Sequence, residues 1–189
     1  MLTPAFEIGL WNAWIFMLYI LLTVLVVAKM KKGEAPKNEL DALSKTEKRI
    51  FNFSKVVFLS AVIYSIFLPL KLWTIWFYIG LPICLLGLIM FTIAIVNIAN
   101  IPLDEPFTKG LYRYSRHPMY VTWFLTLIGV GIASASWIFL LFSILSTTLS
   151  FVLAIPEERL CLKKYGNAYR EYMNRTPRWV GVPKSGESD

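Results

Sequence analysis

The sequence predicts an all-α integral membrane protein of about five transmembrane helices, the last two forming a helical hairpin that leads into a cytosolic C-terminal helix. Three observations carry that expectation. Of the 189 residues, 57% are apolar and 16% charged, and the mean hydropathy is +0.58, more apolar surface than a soluble fold of this length can bury. The charges are confined to short segments between charge-free runs. Those runs have the length of one or two membrane crossings, about 20 residues each for a hydrocarbon core of roughly 30 Å.

The first run, Ile8 to Ala28, is 21 residues long. It lacks the basic flank and small-residue cleavage site of a secretory signal and is expected to stay as a mature helix. Val56 to Leu70 is shorter and bracketed by Lys55 and Lys71, whose stems snorkel outward, so this span extends to about 52–71. No charge occurs from Leu72 to Leu103, which places a third span at about 75–100 behind interfacial tryptophans Trp73 and Trp76. Pro118 to Ile155 holds 38 residues without a charge, too many for one crossing. Gly129, Gly131, Ser134, Ala135 and Ser136 supply small residues midway, so this run divides into spans at about 118–134 and 136–155, the alternative being one long span plus a re-entrant piece. The whole is a single membrane domain, with polar segments at 101–117 and 156–180.

Eight basic residues lie between Lys29 and Lys55, three between Asn100 and His117, seven after Pro156, and one at Lys71. With five spans, all but Lys71 fall on one side, which the positive-inside rule makes cytoplasmic and the N-terminus external. The net charge of +7 therefore suits anionic lipid headgroups, and no basic stripe points to nucleic acid. Cys84 and Cys161 have no spacing for a bridge or a zinc site, and one histidine cannot complete a metal centre.

Chemistry-bearing residues concentrate in the two polar segments flanking the final hairpin. Arg116 and His117 precede Pro118, a favoured first helical residue, and serve equally as charged anchors. Glu157 and Glu158 behind Pro156 read as an ordinary helix start. Leu162, Tyr165, Tyr169 and Tyr172 form one helical stripe of the kind that packs on a membrane or on neighbouring helices. Gly129-Val130-Gly131 lacks a preceding strand and is a packing feature, not a dinucleotide loop. Asn97 and Asn100 end the third span, and Asp104 and Glu105 read as a solvated loop start. The hairpin brings both segments to one patch at the membrane boundary.

Together, Gly110-x-Tyr112, Arg116-His117-Pro118-x-Tyr120, Glu157-Glu158, Tyr165-Gly166-x-x-Tyr169-x-x-Tyr172 and Pro177-Arg178-Trp179 resemble the isoprenylcysteine carboxyl methyltransferase family, within the wider group that includes phospholipid N-methyltransferases. The resemblance covers residues from about Asp104 to Trp179. It implies a membrane enzyme that holds S-adenosylmethionine at the cytosolic boundary and takes a lipid-like or prenylated small substrate from the bilayer. The cofactor pocket implied uses Gly110, Tyr112, Arg116, His117, Tyr120, Glu158 and Tyr169, with Glu157, Glu158 and Arg178 as catalytic candidates. A carboxylate is the methyl acceptor implied, with an amine as the alternative.

Two other readings compete. The Arg-His-Pro-x-Tyr and Lys-Tyr-Gly-x-x-Tyr pattern also resembles the C-terminal end of NADPH-dependent sterol reductases, although 189 residues supply fewer spans than those proteins need. A non-enzymatic membrane scaffold is the third. A transporter is disfavoured because the span interiors carry no ionisable side chain.

Overall fold

The structure, a computed structural model, describes residues 8–30, 43–99, 106 and 108–184. Among them run six helices: α1 (Trp14–Met30), α2 (Lys45–Ile66), α3 (Ile75–Ala99), α4 (Pro118–Ala133), α5 (Trp137–Tyr165) and α6 (Asn167–Arg175), with a 3-10 turn at Gly110–Arg113 ahead of α4. Asn100, Asp104, Glu105 and much of 101–107 lie outside the described residues. α2, α3 and α5 are long and apolar enough to cross a membrane, and α4 and the Trp14–Val26 part of α1 are shorter apolar helices. Many large apolar side chains face outward, among them Leu25, Leu59, Ile63, Leu86, Ile89, Leu141 and Ile144. A surface of this kind is stable against lipid, not water.

Hydrogen bonds gather the helix ends at two poles. At one, Ala13 N donates to Leu68 O (2.9 Å), Leu70 N to Trp11 O (3.0 Å) and Lys71 N to Ala133 O (3.0 Å), while Asn12 Nδ2 donates to Ile66 O (2.8 Å). These bonds draw residues 8–13 into a pairing with the α2–α3 connection, so α1 starts at Trp14 and not near Ile8. At the other pole α2 starts at Lys45, earlier than its apolar run. Ser44 Oγ accepts from Glu47 N (3.3 Å) and Glu47 Oε2 accepts from Ser44 N (2.8 Å), a reciprocal cap that extends the helix over its charged first turns.

The tightest packing joins α3 to α4. A Cβ at Gly80 would strike the backbone of Gly129 and Ala133, one at Gly87 would strike Thr126, and one at Gly129 would strike Cys84. Gly129, expected to serve the hairpin, therefore lets α4 approach α3, whereas Gly131 faces Leu140 of α5. The α4–α5 turn itself is made by Ser134, Ala135 and Ser136, with Ala135 at φ +50° and Ser136 Oγ accepting from Phe139 N (3.2 Å). Buried hydroxyls of Thr126, Ser143 and Thr147 donate to carbonyls four residues back, so these interior polar groups are satisfied within their own helices.

Pro156 does not begin a helix. α5 runs through it to Tyr165, as apolar helices tolerate when neighbouring groups take up the one lost backbone bond. At about 1.5 Å per residue, its 29 residues span roughly 43 Å, longer than the hydrocarbon core. The end bearing Glu157 and Glu158 is thus carried on the same stiff rod as the apolar part of α5.

Candidate active site

The α4–α5 hairpin sets the N-terminus of α4 beside the charged end of α5. His117 caps α4 with Pro118 in the first helical position, a ring geometry that suits the helix start. Forty residues further on, adjacent positions of α5 turn their side chains about 100° apart. Glu158 consequently faces the core of the boundary cluster while Glu157 faces outward.

Glu158 is the centre of that cluster, its side chain only 5% exposed. Arg178 grips it with two bonds, Nε to Oε1 (3.1 Å) and Nη2 to Oε2 (2.7 Å), the bidentate geometry that makes guanidinium–carboxylate pairs strong. His117 Nε2 lies 3.1 Å from Oε1, and because the carboxylate only accepts, the tautomer with hydrogen on Nε2 makes this bond. Arg116 Nη1 stands 3.4 Å from the same oxygen. It is within ion-pair range but outside hydrogen-bond geometry, and both Nη1 and Nε of Arg116 are buried with no hydrogen-bond partner among the described residues. The bond to Glu158 pushes the Arg178 guanidinium further above its already high pKa.

Glu157 is half-exposed. It accepts a hydrogen bond from the Tyr120 hydroxyl, and its Oε2 is 3.6 Å from His117 Nδ1. The imidazole stacks parallel on Tyr120 at 5.4 Å between ring centres and meets Trp179 at 5.7 Å on a tilt. Trp179 packs in turn on Phe151 of α5 at 4.1 Å. The histidine is thus held between two aromatic rings with one carboxylate near each nitrogen.

A C-terminal strap, residues 176–184, ties the cluster down. Arg116 N donates to Pro177 O (3.0 Å), Gly181 N to Tyr114 O (3.0 Å) and Lys184 N to Arg175 O (2.9 Å). Ser115 Oγ accepts from His117 N (3.1 Å) and donates to Arg178 O (3.4 Å). Tyr172 reaches back from α6 to donate to Tyr112 O (2.7 Å) and Ser115 O (3.4 Å). Burial raises the phenols of Tyr112, Tyr169 and Tyr172 above their ordinary range, so all three stay protonated at neutral pH.

The tyrosines expected on one stripe are divided. Gly166 adopts φ +57° and ends α5, a conformation that glycine takes without strain. Tyr165 therefore stays on α5, while Tyr169 and Tyr172 are buried on α6 with ring centres 5.6 Å apart. Gly110, also at positive φ (+62°), lies so close over Asn97 that a Cβ there would collide with its amide. The Asn97 Nδ2 is buried without a hydrogen-bond partner among the described residues. Of the nine candidate residues, Arg116, His117, Tyr120, Glu157, Glu158 and Arg178 form one continuous cluster. Gly110 and Tyr112 sit on the adjoining 3-10 turn, and Tyr169 is joined to them through Tyr172.

Sequence reasoning passed over three contributors. Ser115 has no signal beyond lying next to Arg116. Trp179 was legible only as part of a motif. Phe151 looked like any other apolar residue of a span, and only the passage of α5 through Pro156 keeps it in register with the strap.

No match was found among curated proteins. A family model described as phospholipid methyltransferase matches residues 76–168, which takes in α3, the 3-10 turn, the hairpin and both glutamates. That is the wider group to which the motifs pointed: over residues 76–168 the chain is similar to the phospholipid methyltransferases, the same wider group as the isoprenylcysteine methyltransferases.

Proposed function

We propose that the protein transfers a methyl group from S-adenosylmethionine to a lipid-like acceptor at the cytosolic face of a membrane, with carboxyl O-methylation of the isoprenylcysteine type as the reaction. The observation that carries this reading is the pair of buried donors on Arg116 that have no hydrogen-bond partner among the described residues, beside a carboxylate already shared with His117 and Arg178. Three potential cations face one buried anion, which leaves room for a second carboxylate such as that of the cofactor's amino-acid end. Glu157, half-exposed and adjacent, suits the cofactor's ammonium. The bound cofactor supplies an electrophilic sulfonium methyl, and the residues here hold and orient it.

Methyl transfer is an in-line displacement that depends chiefly on holding the acceptor behind the methyl group, so positioning outweighs proton transfer. With a carboxylate acceptor, the charges of nucleophile and sulfonium cancel towards the transition state. A water-poor site favours that loss of charge, and Tyr120 and Trp179, the latter packed on Phe151, set aromatic surface beside the His117 imidazole. The family description favours a second acceptor, a phospholipid. An amine headgroup has to be deprotonated when it attacks, and Glu157 is then the base. Glu158, tied to His117 and Arg178, positions instead.

Calorimetric titration of the purified full-length protein tests the cofactor. Saturable binding of S-adenosylhomocysteine without binding of NADPH is expected; the reverse pattern would make the protein a reductase, and binding of neither would favour a scaffold.

The topology that accompanies this reading has five crossings, an external N-terminus and the Glu158 cluster in the cytoplasm. Single cysteines at Tyr114, Lys163 and Trp73, all exposed, probe it in a cysteine-free background. The first two should react with an impermeant maleimide from the cytoplasmic side and the third from outside. Reaction of positions 114 and 163 from opposite faces rules out the hairpin.

A further inference from the structure

A cavity of about 370 Å³ opens between the 3-10 turn, α6 and the C-terminal strap. None of its lining residues belongs to the Glu158 cluster. Its charged groups are Arg113 from the turn, Glu171 and Arg175 from α6, and Lys184 from the strap, with Tyr172 and Thr176 completing the wall. The backbone bond from Lys184 N to Arg175 O (2.9 Å) holds two of the three cations together. None of the three enters an ion pair among the described residues. Among the described residues the cavity therefore carries three positive charges and one negative, an excess of two positive charges.

We propose that this cavity binds a phosphate group, presented by an anionic phospholipid at the membrane surface. Two guanidinium forks and an ammonium around one concavity match a tetrahedral oxyanion, which each arginine can meet with two donors. The position suits a headgroup. Tyr172 lines the cavity and bonds to Tyr112 O and Ser115 O, which brings α6 back to within a few residues of Pro118, where α4 starts its apolar course. Lipid phosphates lie at that level, and the negative surface potential of a cytoplasmic leaflet concentrates basic groups there. A free phosphate ester offers the same chemistry, and the experiment separates the two.

Full-length protein in neutral detergent is titrated by native mass spectrometry with dioleoyl phosphatidic acid, with dioleoyl phosphatidylcholine for comparison, and in a separate arm with inorganic phosphate. One saturable phosphatidic acid adduct is expected, preferred over phosphatidylcholine and weakened at least tenfold by R113Q/R175Q. A several-fold loss is expected for K184Q. Saturable inorganic phosphate binding that the double variant loses, without a lipid adduct, would support the phosphate site and assign it a soluble ligand. Equal binding by native and variant proteins in both arms, or no saturable binding in either, overturns the proposal. The substituted side chains are exposed, and an unchanged melting temperature checks the fold. The site does not depend on the cofactor reading, since S-adenosylhomocysteine titration is a separate measurement that R113Q/R175Q should leave unaltered.

Discussion

Glu158→Gln is expected to reduce S-adenosylhomocysteine binding by at least a hundredfold in calorimetric titration while the protein still purifies as a folded species. Glutamine keeps the shape of the side chain but removes the charge that orients Arg178, His117 and Arg116. Of the two bonds from Arg178, the amide oxygen can accept one and the amide nitrogen, a donor, loses the other; a bond to a charged group is worth about 1.5–3 kcal/mol. Glu158→Ala should do more. It leaves Arg116, largely buried, without its counter-charge, and uncompensated buried charges of this kind cost about 3–5 kcal/mol. The alanine variant should therefore melt at a clearly lower temperature in detergent, whereas the glutamine variant loses binding out of proportion to stability. Equal binding by native protein and Glu158→Gln would remove Glu158 from the cofactor site.

Arg116 offers the complementary pattern, because its buried Nε and Nη1 make no hydrogen bond among the described residues, and its link to Glu158 is an ion pair at 3.4 Å that another cation can keep. Arg116→Lys keeps the positive charge but lacks Nε and the planar fork. The melting temperature should stay close to that of the native protein, since Glu158 retains Arg178 and His117, and Arg116 N to Pro177 O is a backbone bond. Binding of S-adenosylhomocysteine should fall about ten- to a hundredfold, the equivalent of one charge-assisted hydrogen bond. A loss of stability with unchanged affinity would make Arg116 a structural anchor only.

The apolar helices were legible because charge is expensive in a bilayer, so charge-free runs mark the helices apolar enough to lie in one, and the convergence of the two polar segments followed from the helical hairpin between them. Helix ends were less legible. Residues 8–13 look like part of a span, yet Asn12 spends its side chain on Ile66 O, a tertiary bond that hydropathy does not register. The start of α2 is written in Ser44-x-x-Glu47, but the charges of its first turns set it outside the apolar run. Pro156 misled for a different reason. In water a proline with two acidic residues behind it marks a helix start, but α5 is held on both sides of Pro156 by its packing. That continuity is what gives the site its geometry. Gly166, in contrast, breaks the tyrosine stripe, and glycine directly behind Tyr165 is a readable stop.

Within the site, the motifs named the residues but could not say which carboxylate was buried. One helical step decides it: Glu158 turns in towards three potential cations, and Glu157 turns out to Tyr120. The orphaned Nε of Arg116 has no counterpart in sequence at all, since it depends on how the strap seats Arg178 first.

Methyl transfer itself is the most direct test. Purified protein is incubated with methyl-deuterated S-adenosylmethionine, total membrane lipids and small prenyl thiols bearing a free carboxylate, and the products are identified by mass spectrometry. Deuterated methyl should appear on a lipid-soluble acceptor, as an ester on the prenylated carboxylate, and should vanish with Glu158→Gln. No labelled acceptor in either pool, from protein that is folded and saturated with cofactor, would contradict the account.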